Sequence, residues 1–271
     1  MAEVMSINAG LYSLAPARAS YAKAKEALAI AAREQGETAE AKYVEATIAF
    51  GEGNWLTSER ALNRALGLDS DHVLALCWRA RLFVALGRSV EAWPVLQRAR
   101  EVDPLASYPS ASTGFCLVAS GQPADALRYL HQALDFDGDN TLALWSLGAA
   151  LVAPGRAEEG VALLQRACTP AHKGGHVHAA LGWALAAAGR TDDARDLLEA
   201  LRTRPEPAPP IVAQAWLHAK LGETAAAFDV LDRAASESQA LMAFPGFAGF
   251  DPLRADRRFD AFLRRLGLPP P

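Results

Sequence analysis

The sequence predicts an all-α fold, a right-handed solenoid of about six helix-turn-helix units closed by a C-terminal capping helix. Three observations predict it. Gly53, Gly87, Gly121, Gly155 and Gly189 follow one another at intervals of 34 residues, and Gly222 follows after 33. Within the stretch 73–106, Leu76, Ala80 and Phe83 share one helical face, Gly87 marks a turn, and Ala92, Leu96 and Ala99 share a second face. Small residues at 80, 92 and 99 let two helix backbones approach, while Phe83 and Leu96 fill the space between them. Thirdly, each unit is punctuated. Gly87 supplies the backbone freedom that ends a first helix, and Asp103-Pro104 stops the second.

Taken in order, residues 2–12 read as a short helix and 13–17 (SLAPA) as a loop. Residues 20–34 form a strong helix by propensity. Ala24, Leu28 and Ala31 stand one period before Ser58, Leu62 and Ala65, so this helix occupies the second-helix place of an atypical opening unit. The first full unit covers 39–72, with Leu62, Ala65 and Leu68 on its second helix, and Lys42 and Glu45 where large apolar residues are usual. The second covers 73–106. The third covers 107–140, with Pro123 starting its second helix, where a missing N–H costs nothing. The fourth, 141–174, ends its first helix at Pro154-Gly155 and carries Gly160 at the close-contact position. The fifth, 175–207, begins its second helix at Thr191-Asp192-Asp193, a capped start. RPEPAPP (204–210) reads as a stiff linker. A weaker sixth unit carries Trp216, Gly222, Ala227, Leu231 and Ala234. LMAFPGFAGFDPL (241–253) reads as an apolar loop, and a final amphipathic helix runs from 254 or 255 to 266. The domain organisation is therefore an atypical N-terminal repeat or cap (1–38), a repeat array (39–240), and a C-terminal loop with capping helix (241–271).

The chain has 271 residues, 51% of them hydrophobic, and a formal net charge of −4. That balance draws in neither nucleic acid nor anionic lipid. No apolar run reaches the roughly 20 residues of a membrane helix, and the start lacks the pattern of a secretory signal. Cys77, Cys116 and Cys168 fall at apolar repeat positions and read as reduced thiols, which fits the cytoplasm.

A 34-residue unit with this small-and-large pattern resembles the tetratricopeptide repeat (TPR). Two end segments, YAKAKEA (21–27) and FDPLRADRRFDAFLRRLGLP (250–269), are similar to segments flanking TPR arrays at the C-terminal ends of bacterial multidomain regulators. Those proteins join such arrays to winged-helix DNA-binding, serine/threonine kinase or adenylate cyclase domains. The resemblance implies a sensory or docking role and no catalysis. It leaves open whether this chain stands alone or is cut from something longer.

In such arrays the first helices line a concave face. The inward positions include Tyr43, Thr47 and Phe50, then Cys77, Arg81 and Val84, then Tyr108 and Phe115. Trp145 follows, then His176 and Trp183, and finally Trp216. Aromatic residues with a polar edge are interface anchors, so these residues are expected to form an exposed partner-binding groove. The expected occupant is an apolar peptide or a partner helix, and the chain's own 241–253 loop is a competing one. The TPR subclass that clamps chaperone C-termini needs an Asn where this chain has Thr47, Arg81, Phe115, Ala149 and Trp183, so that function is not expected.

Three other motifs favour plain readings. His172, His176 and His178 lack the further ligands a metal needs. DFDGDN (135–140) has Asn140 where a calcium loop needs Gly, and Ser146 where it needs Glu. The arginines of the last helix alternate with Asp251, Asp256 and Asp260, as on a solvated face. No nucleotide or hydrolase fingerprint is present. The expectation is thus a protein-interaction scaffold or regulatory module with no cofactor, no metal and no enzymatic activity. The alternatives are a small-molecule-sensing domain, with polar groups converging near Arg81, His176 or His218, and a homodimer formed through an exposed end or the groove.

Overall fold

The computed structural model describes residues 17–152, 155–168, 175–202, 211–237 and 242–270. The expected helix at 2–12, most of the loop after it, Pro154, His172 and the 204–210 linker lie outside the described residues. Helix α1 (Ala17–Gln35) precedes six antiparallel pairs: α2 (Ala39–Gly51) with α3 (Trp55–Leu68), α4 (Val73–Ala85) with α5 (Ser89–Val102), α6 (Ser107–Ala119) with α7 (Pro123–Phe136), α8 (Thr141–Val152) with α9 (Ala157–Ala167), α10 (Gly175–Ala187) with α11 (Thr191–Arg202), and α12 (Ile211–Lys220) with α13 (Thr224–Ser236). A 3-10 turn at Ala248–Leu253 and helix α14 (Arg257–Arg265) follow. No strand occurs among the described residues. Within each pair the helices pack on each other, and each first helix also packs on the next first helix. The result is a two-layer solenoid with the first helices inside.

Local chemistry accounts for several boundaries. Thr38 Oγ1 accepts the Ala41 N–H at 3.1 Å, and Asn140 Oδ1 accepts the Ala143 N–H at 2.9 Å, satisfying free donors at the starts of α2 and α8. Gly87 has φ +71°, which a side chain would strain, and it lets the Arg88 N–H reach back to the Phe83 carbonyl at 2.7 Å. The other glycines of the ladder share this backbone.

The predicted small residues meet where the layers touch. Ser58 Oγ, at the close-contact position of α3, donates to the Ala46 carbonyl at 2.9 Å. At the α8–α9 contact a Cβ added to Gly160 would stand 2.7 Å from the Gly148 carbonyl oxygen. Ala80, Ala92, Leu96 and Ala99 are buried as expected, as are Leu62, Leu130, Leu164 and Leu231. Leu68 differs from expectation. It is the last residue of α3 and stays exposed, because the helix ends there and Asp69 turns away in extended backbone. Lys42 and Glu45, the off-pattern pair, form an ion pair at 2.8 Å on the half-buried side of α2.

The C-terminal segment does more than cap. Helix α14 packs on α13, with the Arg258 guanidinium 4.1 Å from the Phe228 ring centroid and Arg265 paired to Asp232. Residues 248–253, expected as loop, form the 3-10 turn and pack on α12. Beyond α14 the chain returns to the first repeats. The Trp55 indole N–H donates to the Leu266 carbonyl at 2.6 Å, and Pro269 lies against Gly87.

The packing predicts opposite effects for two helical glycines. Gly160→Ala forces a Cβ onto the Gly148 carbonyl and should destabilise by about 1–3 kcal/mol. Gly67→Ala meets nothing within 4 Å and should stabilise by about 0.5–1 kcal/mol through helix propensity. Paired urea titrations check both signs.

Candidate functional site: the concave aromatic face

The inward positions of α2, α4, α6, α8, α10 and α12 build one continuous floor. Its long axis is a run of rings. Phe50 meets Trp78 edge-on at 5.4 Å, Phe115 tilts against Trp145 at 5.6 Å, and Trp145 stands 6.5 Å from Trp216. The expectation that these side chains are open to solvent is not met. Tyr43, Phe50, Arg81, Phe115, Trp145, His176, Trp183 and Trp216 are all buried, and only Tyr108 is half exposed.

The chain itself covers the floor. Phe244 sits 5.1 Å from Phe115 and 6.1 Å from Phe50. Phe247 stacks on Trp145 at 5.9 Å and lies 5.3 Å from Trp183 and 4.5 Å from Trp216. Phe250 meets Trp216 edge-on at 5.9 Å. The segment 242–253 thus bridges five of the predicted groove residues. It excludes water because each phenylalanine, fully buried, gains about 1.5–3 kcal/mol.

The segment is held in shape from within. The Phe247 N–H donates to the Phe244 carbonyl and the Phe250 N–H to the Phe247 carbonyl, each at 3.0 Å. Arg254 donates to the Pro245 and Phe247 carbonyls and to Asp251. Gly246 is seated against the backbone of Ala119 and Ser120, where a Cβ would stand 2.7 Å from the Ala119 carbonyl oxygen. The three-residue spacing of the phenylalanines was visible in the sequence. Trp78, absent from the predicted set, joins the floor one residue beyond Cys77.

Arg81 is the one charged side chain buried in the floor. Its guanidinium lies 4.8 Å from the Phe115 ring, 5.0 Å from Trp78 and 5.5 Å from Tyr108, and it donates to Ser112 Oγ at 3.3 Å. Cation–π contact offsets part of the desolvation of such a group. Its Nε and the indole nitrogens of Trp78, Trp145 and Trp216 have no acceptor among the described residues. His176 is 6.4 Å from Trp145, whereas His218 is 2.8 Å from Glu223 at the end of α12.

The face carries an opening. A cavity of about 270 Å³ is lined by Tyr108, Phe115, Trp145, His176 and Met242, with Asp137 and Asp139 among its other lining residues. It joins four of the nine predicted residues. The DFDGDN turn serves as structure here: Asp137 Oδ1 accepts the Asp139 N–H, and Asn140 caps α8. Among the described residues no group of three or more His, Cys, Asp or Glu side chains could hold a metal. No described helix is long and apolar enough to cross a membrane. Three arginines of the C-terminal segment bond within the chain, Arg254 as above, Arg258 to Asp256 and Arg265 to Asp232. Arg258, through its hydrogen bond, holds the Asp256 carboxyl down at about 2, well below its ordinary range.

The fold and this face define the class, an α-solenoid with an aromatic concave surface. Tetratricopeptide-repeat models match residues 43–111, 117–184 and 175–200. The chain belongs to the tetratricopeptide-repeat family. No curated protein matches it. Among solved structures it is similar to a tetratricopeptide repeat protein from Parabacteroides merdae, at 13% identity and TM-score 0.56, over 98% of this chain and 99% of that one. It is also similar to the human IFIT1 dimer with m7Gppp-AAAA, at 15% identity and TM-score 0.65, over 91% of this chain and 60% of that one. The APC/C hetero-tetramer Cut9-Hcn1 gives 17% identity and TM-score 0.61, over 92% and 48%. These likenesses show the fold. The family's architecture is that of a protein-interaction scaffold.

The buried thiols give this region a pH signature. Burial pushes the Cys77 thiol up from 9.0 to about 11 and the Cys116 thiol from 9.0 to about 12. A raised folded-state value means that the stabilisation is complete below the ordinary thiol value and is lost as pH rises through the folded one. The urea midpoint should therefore hold steady up to pH 9.0 and fall between 9.0 and about 11. Alkylation of Cys77 and Cys116 in the native protein at neutral pH should be slow against the same thiols in urea.

Proposed function

We propose that the chain is a protein-interaction module that holds a partner peptide on its concave face, with Tyr43, Phe50, Arg81, Tyr108, Phe115, Trp145, His176, Trp183 and Trp216 forming the receptor surface. The observation that carries this is the cavity of the concave face lined by Tyr108, Phe115, Trp145 and His176. Its aromatic walls suit an apolar or aromatic side chain. The carboxylates of Asp137 and Asp139 favour a basic residue beside it. The end segments similar to those of bacterial multidomain regulators support a docking role in a cytoplasmic signalling or transcription protein. No step of catalysis is assigned to any residue.

A small molecule as the ligand is the second reading, because the cavity is enclosed by rings. Its volume is just below the roughly 300–1,000 Å³ of drug-sized sites, which favours a single inserted side chain.

A displayed random-peptide library selected on the full chain should enrich sequences pairing an aromatic residue with Lys or Arg. Leu142→Trp, which fills the cavity, should abolish binding of those peptides, and Asp139→Lys should weaken it by at least fivefold. Both variants should keep the wild-type helical signal. Binding indifferent to Leu142→Trp rejects the cavity as the point of capture.

A further inference from the structure

We infer that the concave face is a receptor for a segment carrying three aromatic side chains at three-residue spacing, and that Met242–Leu253 is a resident copy which such a partner displaces. The inference rests on the reading that this face is the interaction surface, and it adds the chemistry of the occupant.

The pattern is read from the resident itself. Phe244, Phe247 and Phe250 fall on successive parts of the floor, against Phe115, then Trp183 with Trp216, then Trp216 again. The 3-10-type turns that join them bring every third side chain to the same side. A partner must therefore present aromatic, any two residues, aromatic, any two residues, aromatic, on a tightly turned backbone.

The resident is an imperfect ligand in two respects. Among the described residues, the Phe244, Pro245 and Phe247 carbonyls accept from within the segment, from the Phe247 and Phe250 N–H groups and from Arg254. Four buried donors of the floor, the indole N–H groups of Trp78, Trp145 and Trp216 and the Nε–H of Arg81, have no acceptor among the described residues. The segment also enters the face through Met242 at φ +70°, a backbone region that side chains disfavour. A partner with the same three rings, a relaxed entry, and carbonyl or carboxylate acceptors over these donors would bind better than the resident. Arg81 makes an acidic residue next to the first aromatic the favoured choice.

The experiment uses the full chain. Native-state hydrogen exchange should show the Phe247 and Phe250 amides opening at least tenfold faster than those of Leu144 and Leu147 in α8. Exchange of all four at one common rate overturns the inference, because the segment would then open only with the whole array. A fluorescent peptide with the sequence of residues 242–253 is the probe for competition. It should bind the Phe247→Ala/Phe250→Ala chain at least tenfold tighter than wild type, and the same peptide with its three phenylalanines changed to alanine should bind neither. A double variant with wild-type helicity that binds no tighter overturns the inference. If that variant loses its helical signal, the exchange comparison decides. Light scattering that finds a dimer exchanging its C-terminal segments would assign the face to a second copy and overturn the claim of a separate partner. Failure here leaves capture at the cavity intact, since that test is read with the resident segment in place.

Discussion

Close approach of paired helix backbones is the constraint on which the molecule depends. Where α8 meets α9 there is no room for a single methyl group, and the equivalent contacts elsewhere admit alanine or, in α3, serine. Such contacts hold each pair together so tightly that the next pair stacks with a small fixed rotation. The curvature follows from that rotation, and the curvature brings six first helices around a common concave face.

A concave face lined by rings has to be covered. In water it would expose a contiguous apolar surface of the kind that soluble proteins hide or use. Here the last thirty or so residues run from α13 across the face and back to Trp55 and Gly87, so that the two ends of the array are tied together by the same segment that fills it. Burying the phenylalanines gains about 1.5–3 kcal/mol each, so the cover is held chiefly by apolar contact with the rings of the floor.

The electrostatics point the same way. Ion pairs such as Arg98 with Asp71 and Arg88 with Glu59 link neighbouring repeats on the outside, where solvent screening leaves them worth little. Buried charge in the floor is carried by Arg81, whose neighbours are rings rather than carboxylates, while Asp137 and Asp139 stand at the mouth of the cavity. Recognition on this surface is therefore a matter of shape and apolar contact, with one cation available to set register.

The repeat was legible in the chain because its cause is local and periodic. Glycine at the end of each first helix, small residues at fixed offsets, and capping groups such as Thr38 and Asn140 act within a few residues of themselves. The boundaries of α2 to α13 follow from them. Membership of the inward set was legible for the same reason, since a 34-residue period places Phe115, Ala149 and Trp183 on one side of successive helices, with Trp145 one turn before Ala149. Exposure was not legible. Whether those rings face solvent depends on where residues 242–253 lie, some hundred residues away from Trp145 in sequence. No local propensity encodes that path. Leu68 shows the converse error: its pattern is apolar, yet its helix stops before the neighbouring repeat can cover it.

By itself, then, the sequence determined a stack of helical pairs and which side chains turn inward, because periodic sterics repeat wherever the pattern repeats. Only the tertiary structure decided that the inward face is occupied by the chain's own phenylalanines, that Trp78 and Arg81 belong to its floor, and that one cavity beside Tyr108 stays open. Those outcomes arise from contacts between segments distant in the chain, where curvature and chain path, rather than spacing, set which surfaces meet.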